Sequence, residues 1–108
     1  MTTAVQNLAG QIHGLMGQSG MARCDDISRR GVFGYHVRPD HQEGWVTVYS
    51  VDDRPGQSPV ATHSRFEAAC KPLLAAAFGE SRVSRVTVKL RVAGKMRPTP
   101  GLRVALAS

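Results

Sequence analysis

Hydrophobic residues recur at helical spacing at the start of the chain. Val5, Leu8, Ala9, Ile12, Leu15 and Met16 form one stripe, which predicts an amphipathic helix. Thr3 with Gln6 three residues on reads as a capping box, and Gly17 and Gly20 suit the exit. Gly10 and Gly14 fall inside the stripe. Each costs about 1 kcal/mol relative to alanine, so the helix depends on packing or its glycines admit another backbone.

The period then changes to two. Residues 32–38 are rich in β-formers, with Phe33, Tyr35 and Val37 on one face. In residues 44–51, Trp45, Thr47, Tyr49 and Val51 alternate with Val46 and Val48. The polar, proline-initiated link between them predicts a hairpin. A short strand within residues 21–29, turning at Arg30 and Gly31, is a further expectation. Residues 52–59 read as a loop.

A second helix is expected from Ser64, with Glu67 completing a capping box. Its stripe is Phe66, Ala69, Cys70, Leu73, Ala77 and Phe78, its exit is Gly79, and Pro72 should kink or restart it. From Ser84 to Val92 the alternation is unbroken: Val86, Val88, Leu90 and Val92 face one way, and Arg85, Thr87, Lys89 and Arg91 the other. Residues 93–100 read as a loop carrying Lys95 and Arg97, and Leu102, Val104 and Leu106 suggest a closing strand. The fold class is α+β, in the order α-β-β(-β)-α-β-β. Two helices pack on one face of an antiparallel sheet of about four to five strands, with a basic stripe on the other face or an edge.

Length adds that the 108 residues form a single domain, 1–108, able to bury one core. The start of the chain lacks the charge and apolar run of a signal peptide, and no apolar run is long enough to span a bilayer. Cys24 and Cys70 form no motif; the readings are a disulfide between them or, the favoured one, two reduced thiols. A soluble, cytoplasmic protein with no membrane contact is the expectation.

Charge changes the picture most. The formal net charge is +6, and from Ser81 onward there are seven basic residues and no carboxylate. The first 80 residues carry seven bases against eight acids. A local cationic field of this kind draws a polyanion or an acidic partner surface. Side chains two apart on a strand face stand roughly 6.6–7 Å apart, close to the phosphate spacing of a nucleic-acid strand. Arg85, Lys89 and Arg91 can therefore follow a backbone, with Lys95 and Arg97 extending the contact. The competing reading is a solvated face that blunts an edge strand.

Little else carries chemistry. His13, His36, His41 and His63 lack metal-ligand spacing. Asp25–Asp26 and Asp52–Asp53 are adjacent pairs whose side chains diverge, so neither makes a carboxylate dyad. No GxSxG, Walker A or GxGxxG motif is present. Neither an enzyme nor a cofactor or metal is expected. The opening order α-β-β-β-α is that of a double-stranded-RNA-binding domain, but the second helix lacks that family's basic N-terminal patch, and no family is inferred.

Two function classes remain. One is a non-enzymatic module that contacts nucleic acid, without reading its sequence, through Arg85, Lys89, Arg91, Lys95 and Arg97. The other is a small interaction protein, an inhibitor or adaptor of the kind phages and plasmids carry, docking on an acidic surface of a nucleic-acid-handling complex. The second expects Trp45 or Tyr49 exposed as an anchor. A homodimer through a sheet edge is compatible with either.

Overall fold

The structure is a computed structural model and describes residues 3–107. Helix α1 spans Thr3–Met16 and helix α2 spans Pro59–Phe78. Four strands, β1 (Phe33–Pro39), β2 (Trp45–Asp52), β3 (Val83–Val92) and β4 (Lys95–Ala105), form one antiparallel sheet in the order β1-β2-β4-β3. The α+β class and the order helix, strands, helix, strands are as expected. A fifth strand is absent among the described residues: residues 21–29 contribute only a bridge between Arg23 and Tyr35.

Directly opposed residues on neighbouring strands share a face, so the registers assign every side chain. Tyr35, Val46, Val48, Val83, Leu102 and Val104 lie on the helix-bearing face. There they meet Val5, Leu8, Ile12 and Met16 of α1 and Phe66, Cys70 and Leu74 of α2. The stripe predicted for α1 is therefore its buried face. Thr3 stands inside that helix as its first residue rather than as its cap. A second cluster lies on the opposite face, where Tyr49, Val51, Leu90 and Val92 are covered by Ile27 of the 20–32 loop.

This arrangement corrects the expected sense of β3. Arg85 opposes Leu102 and Val83 opposes Val104, so Arg85, Lys89 and Arg91 point to the helix-bearing side of the sheet. The valine row points away, and its Leu90 and Val92 end is buried by a loop. Because β3 is an outer strand, the basic stripe sits on an edge and not on the helix-free face.

Proline placement accounts for three further differences. The second helix starts at Pro59, capped by Ser58, whose hydroxyl accepts from the Ala61 N–H at 3.4 Å. Ser64 and Glu67 are thus interior. Serine then proline is a strong start signal, since proline at the first position loses no helical hydrogen bond. Pro72 does not divide α2, which runs on to Phe78. Pro72 and Ala68 are both exposed, so the carbonyl that proline leaves unbonded meets solvent.

Residues 95–100, expected as a loop, belong to β4. The β3–β4 turn is Ala93–Gly94, both at positive φ (52° and 81°), the geometry of a two-residue hairpin. Bonded pairs then alternate outward from Val92 and Lys95, and Pro98 and Pro100 fall at positions whose nitrogens face away from β3. They cost that ladder nothing. They also end the pairing of β4 with β2, which stops at Tyr49 and Gly101.

Glycine is required at Gly34. Its φ is +142°, and a Cβ there would lie 2.1 Å from the Ala22 carbonyl oxygen. That close approach lets the Tyr35 N–H donate to Ala22 O and the Cys24 N–H donate to Tyr35 O, covering the β1 edge at Tyr35. Gly10 and Gly14 are exposed and approached by no other backbone, because a Cβ at either meets nothing within 4 Å. Gly10→Ala and Gly14→Ala should therefore each stabilise the protein by about 1 kcal/mol. Gly34→Ala should destabilise it by roughly 3 kcal/mol through strain and overpacking. Urea denaturation of the three variants reads both signs.

Candidate functional site

The end of β2 organises the charged end of the molecule. Asp52 points to the helix side and is fully buried as a side chain. It accepts from Arg54 Nε and Nη2, both at 3.0 Å, and from the Thr62 hydroxyl of α2 at 2.6 Å. The Arg54 guanidinium also stacks 3.6 Å from the Phe33 ring centre. Hydrogen bonds from Arg54, and then from Thr62, hold the Asp52 carboxyl far below the usual carboxylate range despite its burial.

Asp53 turns to the other side. It accepts from the Gly31 N–H at 2.9 Å and from Arg97 Nη2 at 2.8 Å. The adjacent carboxylates diverge, as strand geometry requires, and each fastens a different element.

The five predicted cations are divided by this framework. Arg85, Lys89 and Arg91 lie on the helix side of the β3–β4 hairpin. Lys95 and Arg97, opposite Val92 and Leu90, lie on the other side. Arg85 is paired with Glu67 of α2, and Arg97 with Asp53. Lys89 and Lys95 are exposed and make no hydrogen bond or ion pair among the described residues, although Asp53 lies near enough to feel the charge of Lys95, and Arg91 bonds only its own turn, at Gly94 O. The unspent charge thus sits at the hairpin tip.

One neighbour there was not legible in the sequence. The Ala93 N–H donates to Ile27 O at 2.8 Å, which draws the 27–31 loop against the turn. Arg30 and Lys95 consequently line one cleft of about 720 Å³, with Asp53 on its wall. Tertiary hydrogen bonds, this one and those of Asp53 to Gly31 and Arg97, bring the two cations together.

The expected aromatic anchors are not free. Tyr49 is 2% exposed and belongs to the core, so it is not the exposed anchor that the second reading needs. Trp45 is half-buried beneath Arg103, whose guanidinium lies 4.4 Å from the indole and donates to Gln42 Oε1 at 3.0 Å. Neither ring adjoins the hairpin tip.

The histidines and cysteines have structural surroundings. His36 is buried; its Nδ1 lies 2.8 Å from Cys24 O, and its Nε2 accepts from Arg38 Nε at 3.0 Å. These partners place the proton on Nδ1 of a neutral ring. Ser50 and His63 form a hydroxyl–imidazole pair at 2.7 Å, a pairing that nucleophilic catalysis also uses. Here Ser50 is wholly buried and Asp52 bonds Thr62 and Arg54 instead of the ring. The pair fastens α2 to β2.

Cys24 and Cys70 are both free, and burial pushes the Cys70 thiol up to about 11. No group of three or more His, Cys, Asp or Glu side chains among the described residues could hold a metal ion. No helix of the described residues is long and apolar enough to cross a membrane. No protein-family model, no curated protein and no solved structure matches the chain.

Burial lowers the affinity of His13, His36 and His63 for a proton. An unfolded histidine takes up a proton near pH 6.5, so below that pH the unfolded state binds more protons than the folded one. Stability should be full above about pH 6.5 and decline as pH falls from there toward the lower folded values. A second decline, below about pH 4, belongs to the carboxylates and above all to Asp52. Thermal melts between pH 8 and pH 3 should show both. Asp52→Asn should cost about 2–3 kcal/mol at neutral pH and flatten the second.

Proposed function

We propose that this protein is a non-enzymatic binding module that holds nucleic acid, without reading its sequence, against the cationic tip of the β3–β4 hairpin. The observation that carries the reading is the pattern of unpaired charge. Lys89, Arg91 and Lys95 form no ion pair among the described residues, Arg30 is drawn beside Lys95 in a cleft that Asp53 also lines, and no acid follows Glu80 in the chain. Cations on both sides of a two-stranded ribbon suit a ligand whose charge is repeated along its length, since the major groove admits such a ribbon between its phosphate rows. With no exposed aromatic at the tip, phosphate contacts supply the affinity. The reading takes the protein to be cytoplasmic, where free thiols persist.

The runner-up is an acidic protein surface. It is favoured by one specific feature, the open backbone edge of β3.

Titration against labelled DNA and RNA, single- and double-stranded, at two salt concentrations tests the first reading. Micromolar binding is expected. Affinity should fall with salt at a slope of roughly 0.9 per phosphate contacted on a duplex. The variant Lys89→Glu/Arg91→Glu/Lys95→Glu should abolish binding while the fold persists, because all three side chains are exposed. Absence of binding at low salt would sink the reading.

A further inference from the structure

The two edges of the sheet are treated differently. The β1 edge is covered by the chain itself at Tyr35, through the hydrogen bonds among Ala22, Cys24 and Tyr35. Among the described residues the β3 edge has no neighbouring strand over its ten residues. In the hairpin, bonded pairs alternate from the Ala93–Gly94 turn, so the N–H and C=O groups of Arg85, Thr87, Lys89 and Arg91 point away from β4. They form a row of outward donors and acceptors.

Side chains give this row two distinct flanks. On the helix side stand Arg85, Thr87, Lys89 and Arg91, all exposed. On the other side stand Val86 and Val88, half-buried, leading to buried Leu90. Beside the edge a groove of about 600 Å³ runs between β3 and α2, lined by Ala68, Lys71, Pro72 and Ala75 of the helix and by Arg85, with Glu67 and Glu80 also on its walls. Small helical side chains leave room there for an added chain.

We propose that the β3 edge receives an extended segment of a partner protein as a fifth strand, and that this segment alternates acidic and apolar residues. Main-chain hydrogen bonds hold such a strand, and its alternate side chains give specificity. Acidic residues belong opposite Lys89 and Arg91, whose charges are unanswered by any carboxylate. Arg85 is already answered by Glu67, so the position opposite it takes a polar, uncharged residue. Apolar residues belong on the other flank, against Val86 and Val88.

A second copy of this chain fits poorly. Paired about Thr87, antiparallel β3 strands set Arg85 opposite Lys89 of the other copy; paired about Lys89, they set lysine opposite lysine. Like charges directly opposed are destabilising. The inference goes beyond the nucleic-acid reading and does not rest on it, because the primary ligands are backbone groups.

The probe is a synthetic peptide alternating glutamate and valine, about nine residues long to match β3 at ~3.3 Å per residue. A peptide of the same composition with its glutamates and valines in separate blocks is the control. In hydrogen exchange, the alternating peptide should protect the amides of Arg85, Thr87 and Lys89 in the unmodified protein, and the block peptide should not. Thr87→Pro removes one outward N–H while leaving the ladder to β4 and every cation intact. It should weaken peptide binding by about tenfold or more and leave nucleic-acid binding unchanged.

Lys89→Glu/Arg91→Glu should weaken both ligands. Unprotected amides at millimolar peptide, or equal binding of both peptides, overturns the inference. A concentration-dependent dimer that protects the same amides overturns it too, by giving the edge to a second copy. Loss of nucleic-acid binding alone would count only against the other reading.

Discussion

Two adjacent carboxylates at the end of β2 hold the molecule together at its charged end. Asp52 and Asp53 leave the strand on opposite faces, one into α2 and the other toward the 27–31 loop and β4. The helix layer and the loop layer are thus fastened to one point. A buried carboxylate is tolerable only when its lone pairs are answered, and here Arg54 and Thr62 answer those of Asp52. Asp53 neutralises Arg97 and so removes it from the available charge. What the hairpin presents outward is the remainder: Lys89, Arg91 and Lys95.

The alternation of β3 was legible because one flank is wet and the other is not. Which flank met the helices was not, since period two defines two faces without saying what covers each. Here a loop, through Ile27, supplies the cover that a helix was expected to supply. The stripe of α1 was legible for the opposite reason: one apolar face, one layer beneath it. Pro98 and Pro100 read as loop because proline cannot feed a strand ladder on both sides. In an outer antiparallel hairpin every second nitrogen is idle toward its partner, and both prolines use idle positions. The cations of the candidate site were visible in the chain. Their partners Glu67 and Asp53, and their neighbour Arg30, were not, because each is set by a tertiary contact with no local signature.

The same hairpin carries both proposed binding surfaces, and they are chemically separable. Its tip offers charge, which is long-ranged, weakened by salt and indifferent to ligand register. Its edge offers hydrogen-bonding groups at fixed spacing, which act at contact and select a conformation. The positive flank serves the edge in a second way, by discouraging self-pairing of a strand with strong β-forming character.

Pro98 and Pro100 also shape the order in which the sheet can assemble. Each hairpin joins neighbours in sequence and can close on the microsecond scale. The seam between β2 and β4 joins segments far apart along the chain, and it comprises five opposed pairs because the prolines end it there. Closing so long a loop for so short a seam is entropically costly before any packing rewards it. The reward comes where the opposed Val48 and Leu102 join the core that Phe66 also enters. The prolines therefore concentrate the late, cooperative step of folding into a patch a few residues wide. Beyond it, the β3–β4 hairpin is left as an arm already formed.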